Sequence, residues 1–187
     1  GQVYVQFGPI GLSTDLGTSA DTTLQGSDVY DNAGASLAGP GDVDGDGYDD
    51  MVIGGPGLVG AGVNGSIWLV LGSPSGGENR LNDDSEAHLT GQSGDDRAGH
   101  VVAAAGDVNN DGYADVWVTA PYEDEAGSDA GAAWLLLGPF SGNTSLEATA
   151  QTKLTGVSAD DRLASRSPLV TWTATAHPTW SSRPPVP

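Results

Sequence analysis

Hydrophobic residues in this chain come in short runs separated by polar turn residues. Ile67-Trp68-Leu69-Val70-Leu71 and Trp134-Leu135-Leu136-Leu137 are the clearest. Apolar runs this short, bounded by turn residues, predict β-strands. No long segment carries the 3.6-residue periodicity of a helix. Over residues 24–88 the pattern predicts four strands, near 34–40, 50–54, 65–71 and 86–90. The joints between them hold glycine, proline, asparagine or aspartate, which supply turn geometry.

The pattern repeats. GDVDGDGYDDMVIGGP at 41–56 returns as GDVNNDGYADVWVTAP at 106–121. Leu24, Gly26, Asp31, Ala33 and Gly34 match Leu89, Gly91, Asp96, Ala98 and Gly99 at the same offset, and Leu154, Gly156, Asp161 and Arg162 open a third copy. GSIWLVLG at 65–72 corresponds to GAAWLLLG at 131–138, and GQVYVQFG at 1–8 is the same segment of an earlier copy. The expected organisation is the end of one unit at 1–23, full units at 24–88 and 89–153, and the start of another at 154–166. Four strands per unit at a fixed long period predicts an all-β fold of four-stranded antiparallel propeller blades rather than a β-helix, whose period is far shorter. The set is incomplete, so the chain reads as a fragment. Residues 167–187 break the pattern: they are rich in Thr, Ser, Pro and Trp and contain no acid. Shifting the reading frame near Ser167 restores a third aspartate-rich segment close to its expected place, so this aberrant tail reads as a frame-shift product; a Pro/Ser/Thr linker is the alternative.

Charge narrows the function. Twenty-five acidic residues against six basic ones give a net charge of −19. Such a chain is repelled by nucleic acid and by anionic membrane surfaces, and it attracts cations. With no cysteine, disulfides and thiolate metal sites are excluded. No apolar run approaches the ~18 residues needed to span a bilayer.

The clustered acids point to a metal. In the first loop Asp42, Asp44, Asp46 and Asp50 take positions 1, 3, 5 and 9; in the second, Asp107, Asn109, Asp111 and Asp115 do. Alternate residues of a tight loop can converge their oxygens on one hard cation, with the backbone carbonyls of Tyr48 and Tyr113 at position 7 completing each set. Gly47 and Gly112 at position 6 permit a positive φ. Calcium is favoured over magnesium, which demands near-ideal octahedral geometry, and over zinc, since the loops contain no histidine. An EF-hand is excluded, because position 12 is Ile53 or Val118 rather than glutamate. The alternative is a pair of solvated turns. However, two like charges ~4 Å apart repel by about 4 kcal/mol at an effective dielectric near 20, so such crowding makes little sense without a cation. Asp49, at position 8, is expected to point outward, and loop two, with one carboxylate fewer, to bind more weakly.

The string Asp-Val-Asp-Gly-Asp-Gly-Tyr-x-Asp followed by a hydrophobic run and proline resembles the FG-GAP repeat, which builds the seven-bladed propeller of integrin α subunits and many bacterial extracellular proteins. The resemblance covers about residues 1–166. Its GAP element is present as Gly54-Gly55-Pro56 and Thr119-Ala120-Pro121, whereas its FG element is altered to Ala33-Gly34 and Ala98-Gly99. The resemblance implies calcium as cofactor, held by the ten loop positions above. It implies further FG-GAP repeats to close a ring of about seven, an extracellular or cell-surface location, and recognition of a protein or glycan partner on the face opposite the metal. The expected role is binding or adhesion without catalysis. An appendage of a secreted hydrolase, or a purely structural surface module, are the alternatives. No unique cluster of titratable residues supports an enzyme. His88, His100 and His177 form no pair, and Asp95-Asp96-Arg97 and Asp160-Asp161-Arg162 recur as a turn expected to pair arginine with an acid. Trp68, Trp117 and Trp134 are expected in the core, and Tyr122-Glu123-Asp124-Glu125 as an exposed acidic loop.

Overall fold

The computed structural model describes residues 1–7, 16–26, 28–72, 77–81 and 85–165. The aberrant tail at 167–187, with His177, lies outside them. Twelve strands are described: β1 (Gln2–Val5), β2 (Thr22–Gln25), β3 (Ser36–Gly41), β4 (Asp50–Gly55), β5 (Ser66–Val70), β6 (Gly77–Arg80), β7 (Ala87–Thr90), β8 (Val102–Gly106), β9 (Asp115–Ala120), β10 (Ala132–Leu136), β11 (Gly142–Ser145) and β12 (Thr152–Thr155). Two helical turns, α1 (Leu16–Ser19) and α2 (Leu146–Thr149), complete the set. The protein is nearly all β.

Two four-stranded antiparallel units follow one another. The first runs β3-β4-β5-β7 and the second β8-β9-β10-β12. β1 and β2 are the corresponding outer pair of a preceding unit. The chain also contains something the periodicity did not predict. The link between the third and fourth strands of each unit carries a short extra strand that pairs in parallel with the outer strand of the unit before it: β6 with β2, and β11 with β7. These clasps run from one unit to the next and lengthen the first full sheet to five strands.

The apolar runs are continuous because each sheet is covered on both faces. Alternate residues of a strand point to opposite faces. Ile53 and Trp68 therefore pack with Val3 and Leu24 of the preceding unit. Their neighbours Val52, Ile67 and Leu69 pack with Val116, Val118, Trp134 and Leu136 of the following one. Fully burying a side chain of this size stabilises by about 1.5–3 kcal/mol, so the stack of sheets is held mainly by these two clusters. Trp68 and Trp134 are core residues as expected; Trp117 is only half-buried.

The altered FG element is the joint between units. Ala33 and Ala98 are buried. Gly34 and Gly99 sit at φ 89° and 81°. A Cβ on Gly99 would lie 2.3 Å from the Ser66 carbonyl oxygen, so only glycine allows the backbones to approach this closely. The small pair thus lets adjacent sheets close where a phenylalanine would hold them apart.

Strand order fixes two ends. Loops 41–50 and 106–115, between first and second strands, share one end with the links that carry the clasps. The connections between second and third strands, and between one unit and the next, lie at the other.

Candidate functional site: the paired aspartate loops

Each loop is folded by its own carboxylates. In the first, the Gly45 and Gly47 N–H groups donate to Asp42 at 2.6 and 2.9 Å, Asp46 N–H to Asp44 at 3.0 Å, and Tyr48 N–H to Asp46 at 2.8 Å. In the second, the Asp111 and Gly112 N–H groups donate to Asp107 at 3.0 and 2.9 Å, Asp111 N–H to Asn109 at 3.2 Å, and Tyr113 N–H to Asp111 at 3.0 Å. These are Asx turns repeated along the loop. They fix the loop backbone while Gly47 and Gly112 turn the chain at φ 91° and 95°.

Position 9 is different in kind. Asp50 is 3% exposed and Asp115 0%. Asp50 accepts from Val43 N–H at 2.7 Å and from Gly72 N–H at 2.8 Å. Asp115 accepts from Val108 N–H at 2.7 Å and from Gly138 N–H at 3.0 Å. Each ties the start of its loop to the glycine that ends the third strand. Burial pushes both carboxyls above the ordinary aspartate value, with partial relief from these backbone donors; Asp44 and Asp46, or Asp111 and Asp107, push the same way by repulsion. The sequence reading had these two only as metal ligands and missed their anchoring role. No local spacing carried it, because Gly72 and Gly138 lie 22 and 23 residues along the chain from the aspartates they bond.

The oxygens of Asp42, Asp44 and Asp50 lie within 4.8 Å of one another. That is the first loop's convergent set. Asp46 is exposed and outside it, and Tyr48 is exposed at the rim. Asp49 is exposed, as expected of position 8. In the second loop Asn109 replaces a carboxylate and its Nδ2 donates to Asp111 at 2.7 Å, so one donor group points where an acceptor stands in loop one. The donors are all oxygens, each carboxylate oxygen keeps acceptor capacity beyond its N–H contact, and three carboxylates crowd one turn. This chemistry fits a hard cation that takes six to eight oxygens.

The two loops touch. Ala114 N–H, in loop two, donates to the Asp42 carbonyl at 2.8 Å. The Tyr113 ring lies over Gly45, where a Cβ would meet Cε1 at 2.6 Å.

A family model described as FG-GAP repeat matches residues 98–136, which contain the second loop. This segment carries an FG-GAP repeat. It is 34% identical over 110 residues to Integrin alpha-PS2 of Drosophila melanogaster, an alignment covering 56% of the chain and 8% of that relative. The chain therefore spans a small part of the relative's length.

Several acids outside the loops have structural partners. Asp31, Asp96 and Asp161 cap the same turn in three copies, accepting from Asp28, Ser93 and Ser158 N–H. Arg162 pairs with Asp129 at 3.0 Å and Asp160 at 3.6 Å, as the repeated turn led us to expect. Arg97 instead lies over the Tyr122 ring, which Arg162 flanks as well. The expectation that 122–125 forms an exposed acidic loop needs correction. Glu123 is 3% exposed, and its carboxylate takes the Lys153 ammonium at 3.0 Å. Lys153, the chain's single lysine, sits over Trp134 and also pairs with Glu125 and Glu147. Burial works to lower its pKa, but the three carboxylates outweigh it and push the ammonium above the usual lysine value. His88 stands at the same place in unit one, stacked on Trp68 at 5.1 Å.

Proposed function

We propose that this chain is a calcium-braced, extracellular segment of an integrin-like β-propeller whose role is binding or adhesion. The observation that carries the reading is the convergence of Asp42, Asp44 and Asp50 at the head of a β-hairpin, in a loop whose pattern recurs at 107–115. In loop one Asp42, Asp44, Asp46, Asp50 and the Tyr48 carbonyl would hold the ion; in loop two Asp107, Asn109, Asp111, Asp115 and the Tyr113 carbonyl would. A bound ion neutralises the crowded carboxylates and fixes the hairpin. Because the loops touch, it also stiffens the contact between neighbouring units. The ion does no chemistry here.

Recognition belongs, on this reading, to the opposite end. There Val29, Tyr30, Leu58 and Val59 are exposed, and loops 28–31 and 63–66 line a cavity of about 530 Å³ with His88 in its wall. A partly apolar, open cavity among loops suits a protein or glycan surface. Strong negative charge disfavours nucleic acid, and among the described residues no helix is long and apolar enough to cross a membrane.

Calcium titration by calorimetry, with thermal melts in calcium and in chelator, tests the proposal. A ligand that binds only the folded form raises the melting temperature. Two sites, with affinities in the ~10⁻⁴–10⁻³ M range of extracellular modules or tighter, and a clear rise in Tm are expected. No heat and no shift would reduce both loops to solvated turns.

A further inference from the structure

Two tripeptides in the sequence have the form Asn-x-Ser with x other than proline, Asn64-Gly65-Ser66 and Asn143-Thr144-Ser145. This is the acceptor pattern for an N-linked glycan, a bulky modification that belongs on the surface of a secreted chain. The pattern treats the two sites alike. Their surroundings do not.

Asn64 lies in the joint between units one and two. Its Nδ2 donates to the Gly91 and Gln92 carbonyls at 3.2 and 3.4 Å, and its own carbonyl accepts from Ala98 N–H at 3.3 Å. Gly65 beside it is buried at φ 75°, and a Cβ there would lie 2.3 Å from the Ala98 carbonyl oxygen. A sugar on the Asn64 nitrogen would stand where the backbone of Gly91 and Gln92 now lies. The joint and a glycan at this position exclude each other.

Asn143 is placed differently. It sits in β11, the last strand of its sheet, paired with β7 on one side. Asn143 is exposed, as are Gly142 and Thr144 on either side of it. An open strand edge invites pairing with another chain, and natural proteins guard it with charge or cover. β6, the matching clasp of unit one and also the last strand of its sheet, carries Glu78 and Arg80. β11 reads Gly-Asn-Thr-Ser and carries no charge. A hydrated glycan on Asn143 gives this edge the guard that its sequence lacks.

We propose that Asn143 carries an N-linked glycan and that Asn64 does not. The proposal rests on the extracellular reading, because the modification belongs to exported chains. In the transfer, Asn143 Nδ2 attacks the anomeric carbon of an oligosaccharide held on a lipid diphosphate. The C–N bond forms as the C–O bond to the diphosphate breaks. The lipid diphosphate leaves with that electron pair, and the amide proton passes to a base of the transferase. Ser145 supplies the hydroxyl of the acceptor pattern, and its Oγ also caps α2, accepting from Ala148 N–H at 3.1 Å.

The test is peptide mapping of the full chain, secreted from a eukaryotic cell line behind a cleavable signal sequence. Maps are compared before and after enzymatic release of N-glycans, which leaves aspartate wherever a glycan stood. Forced export makes the result independent of where the chain naturally resides. Aspartate at 143 and asparagine at 64 are expected. Asn143→Gln should abolish the glycan and leave the melting temperature unchanged. Ser145→Asn keeps a capping residue but destroys the acceptor pattern, and it should abolish the glycan too. A chain secreted without a glycan, modification of residue 64 with or without 143, or a glycan retained in either variant overturns the proposal. A silent calcium titration would sink the reading of the aspartate loops and leave this one standing.

Discussion

Loops 41–50 and 106–115 have nearly the same skeleton and different charge. Both are strung on N–H donors to positions 1, 3 and 5, and both end on a buried aspartate that accepts two backbone donors. They part at position 3, where Asp44 joins a three-carboxylate cluster and Asn109 turns an amide donor toward Asp111. The shape of such a loop is thus set by backbone bonding that either residue can support, because aspartate and asparagine both offer an acceptor oxygen. Its electrostatic strength is set separately, by how many acceptors are charged. Fold and metal preference are decided by different atoms of the same residues.

The sharpest way to break that comparison is at position 9. Asp50→Ala and Asp115→Ala each leave two N–H groups without their charged acceptor. Charge-assisted hydrogen bonds contribute about 1.5–3 kcal/mol apiece, offset in part by removing a buried carboxylate. Each variant should therefore lose about 2–3 kcal/mol in chelator, and the two losses should agree. Urea midpoints measure this. A variant that keeps wild-type stability without calcium would show that position 9 serves the metal alone.

Next in size is a difference between the units rather than the loops. Asp96 caps its turn beside Glu123 and Asp124, whereas Leu58 and Val59 stand at the corresponding places in unit one. Burial first, and repulsion from those two acids second, raise Asp96 from 3.8 to about 6; Ser93 N–H and Lys153 act the other way. A carboxyl with a raised folded pKa binds its proton more tightly in the folded than in the unfolded chain. Its contribution to stability is therefore greatest below about pH 4 and is lost as pH rises to about 6. Asp96→Asn keeps the acceptor for Ser93 and removes the titration. Its Tm relative to the parent should rise by on the order of 2–4 °C between pH 4 and pH 7.5, and a flat difference would mean that Asp96 titrates as a free carboxyl.

Much of this molecule was legible from sequence because its information is local and repeated. The strands expected at 50–54 and 65–71 are found at Asp50–Gly55 and Ser66–Val70, since apolar runs and turn residues specify them without long-range help. The aspartate loops were visible for the same reason. What stayed hidden is carried by backbone atoms or by residues that do not repeat. Gly77–Arg80 and Gly142–Ser145 are polar and carry no alternation, so their pairing with β2 and β7 comes from position, not pattern. Lys153 replaces a histidine, and Glu123 replaces a leucine, so the ion cluster over Trp134 occurs in one unit and gave no periodic signal. Asp50 was recognised as an acid at the right spacing, but its bond to Gly72 joins residues 22 apart, which no local spacing encodes.

Smaller effects test the charge side of the comparison. Asn109→Asp should raise loop-two calcium affinity by about tenfold, on the order of 1.4 kcal/mol, and Asp44→Asn should lower loop one by a similar factor. Calorimetry on the two variants would then report exchanged affinities. If both changes leave the isotherm alone, position 3 is outside the coordination sphere and the asymmetry between loops has no functional meaning.

The smallest effect isolates the contact between the loops. Gly45 and Gly112 both sit at positive φ, 85° and 95°, so alanine strains each backbone by about 1 kcal/mol. They differ in surroundings. Nothing lies within 4 Å of a Cβ at Gly112, whereas at Gly45 it would press on the edge of the Tyr113 ring. The excess cost of Gly45→Ala over Gly112→Ala should be about a few tenths of a kcal/mol, because the ring is the free end of a side chain and can move. Tyr113→Ala should abolish that excess in a double-mutant cycle. The informative readout is calcium affinity. The carbonyl of Tyr113 is a candidate ligand of loop two, so a methyl group added to loop one should weaken binding at loop two. If only loop one responds, the bond from Ala114 to Asp42 and the ring over Gly45 join the units without joining their metal sites.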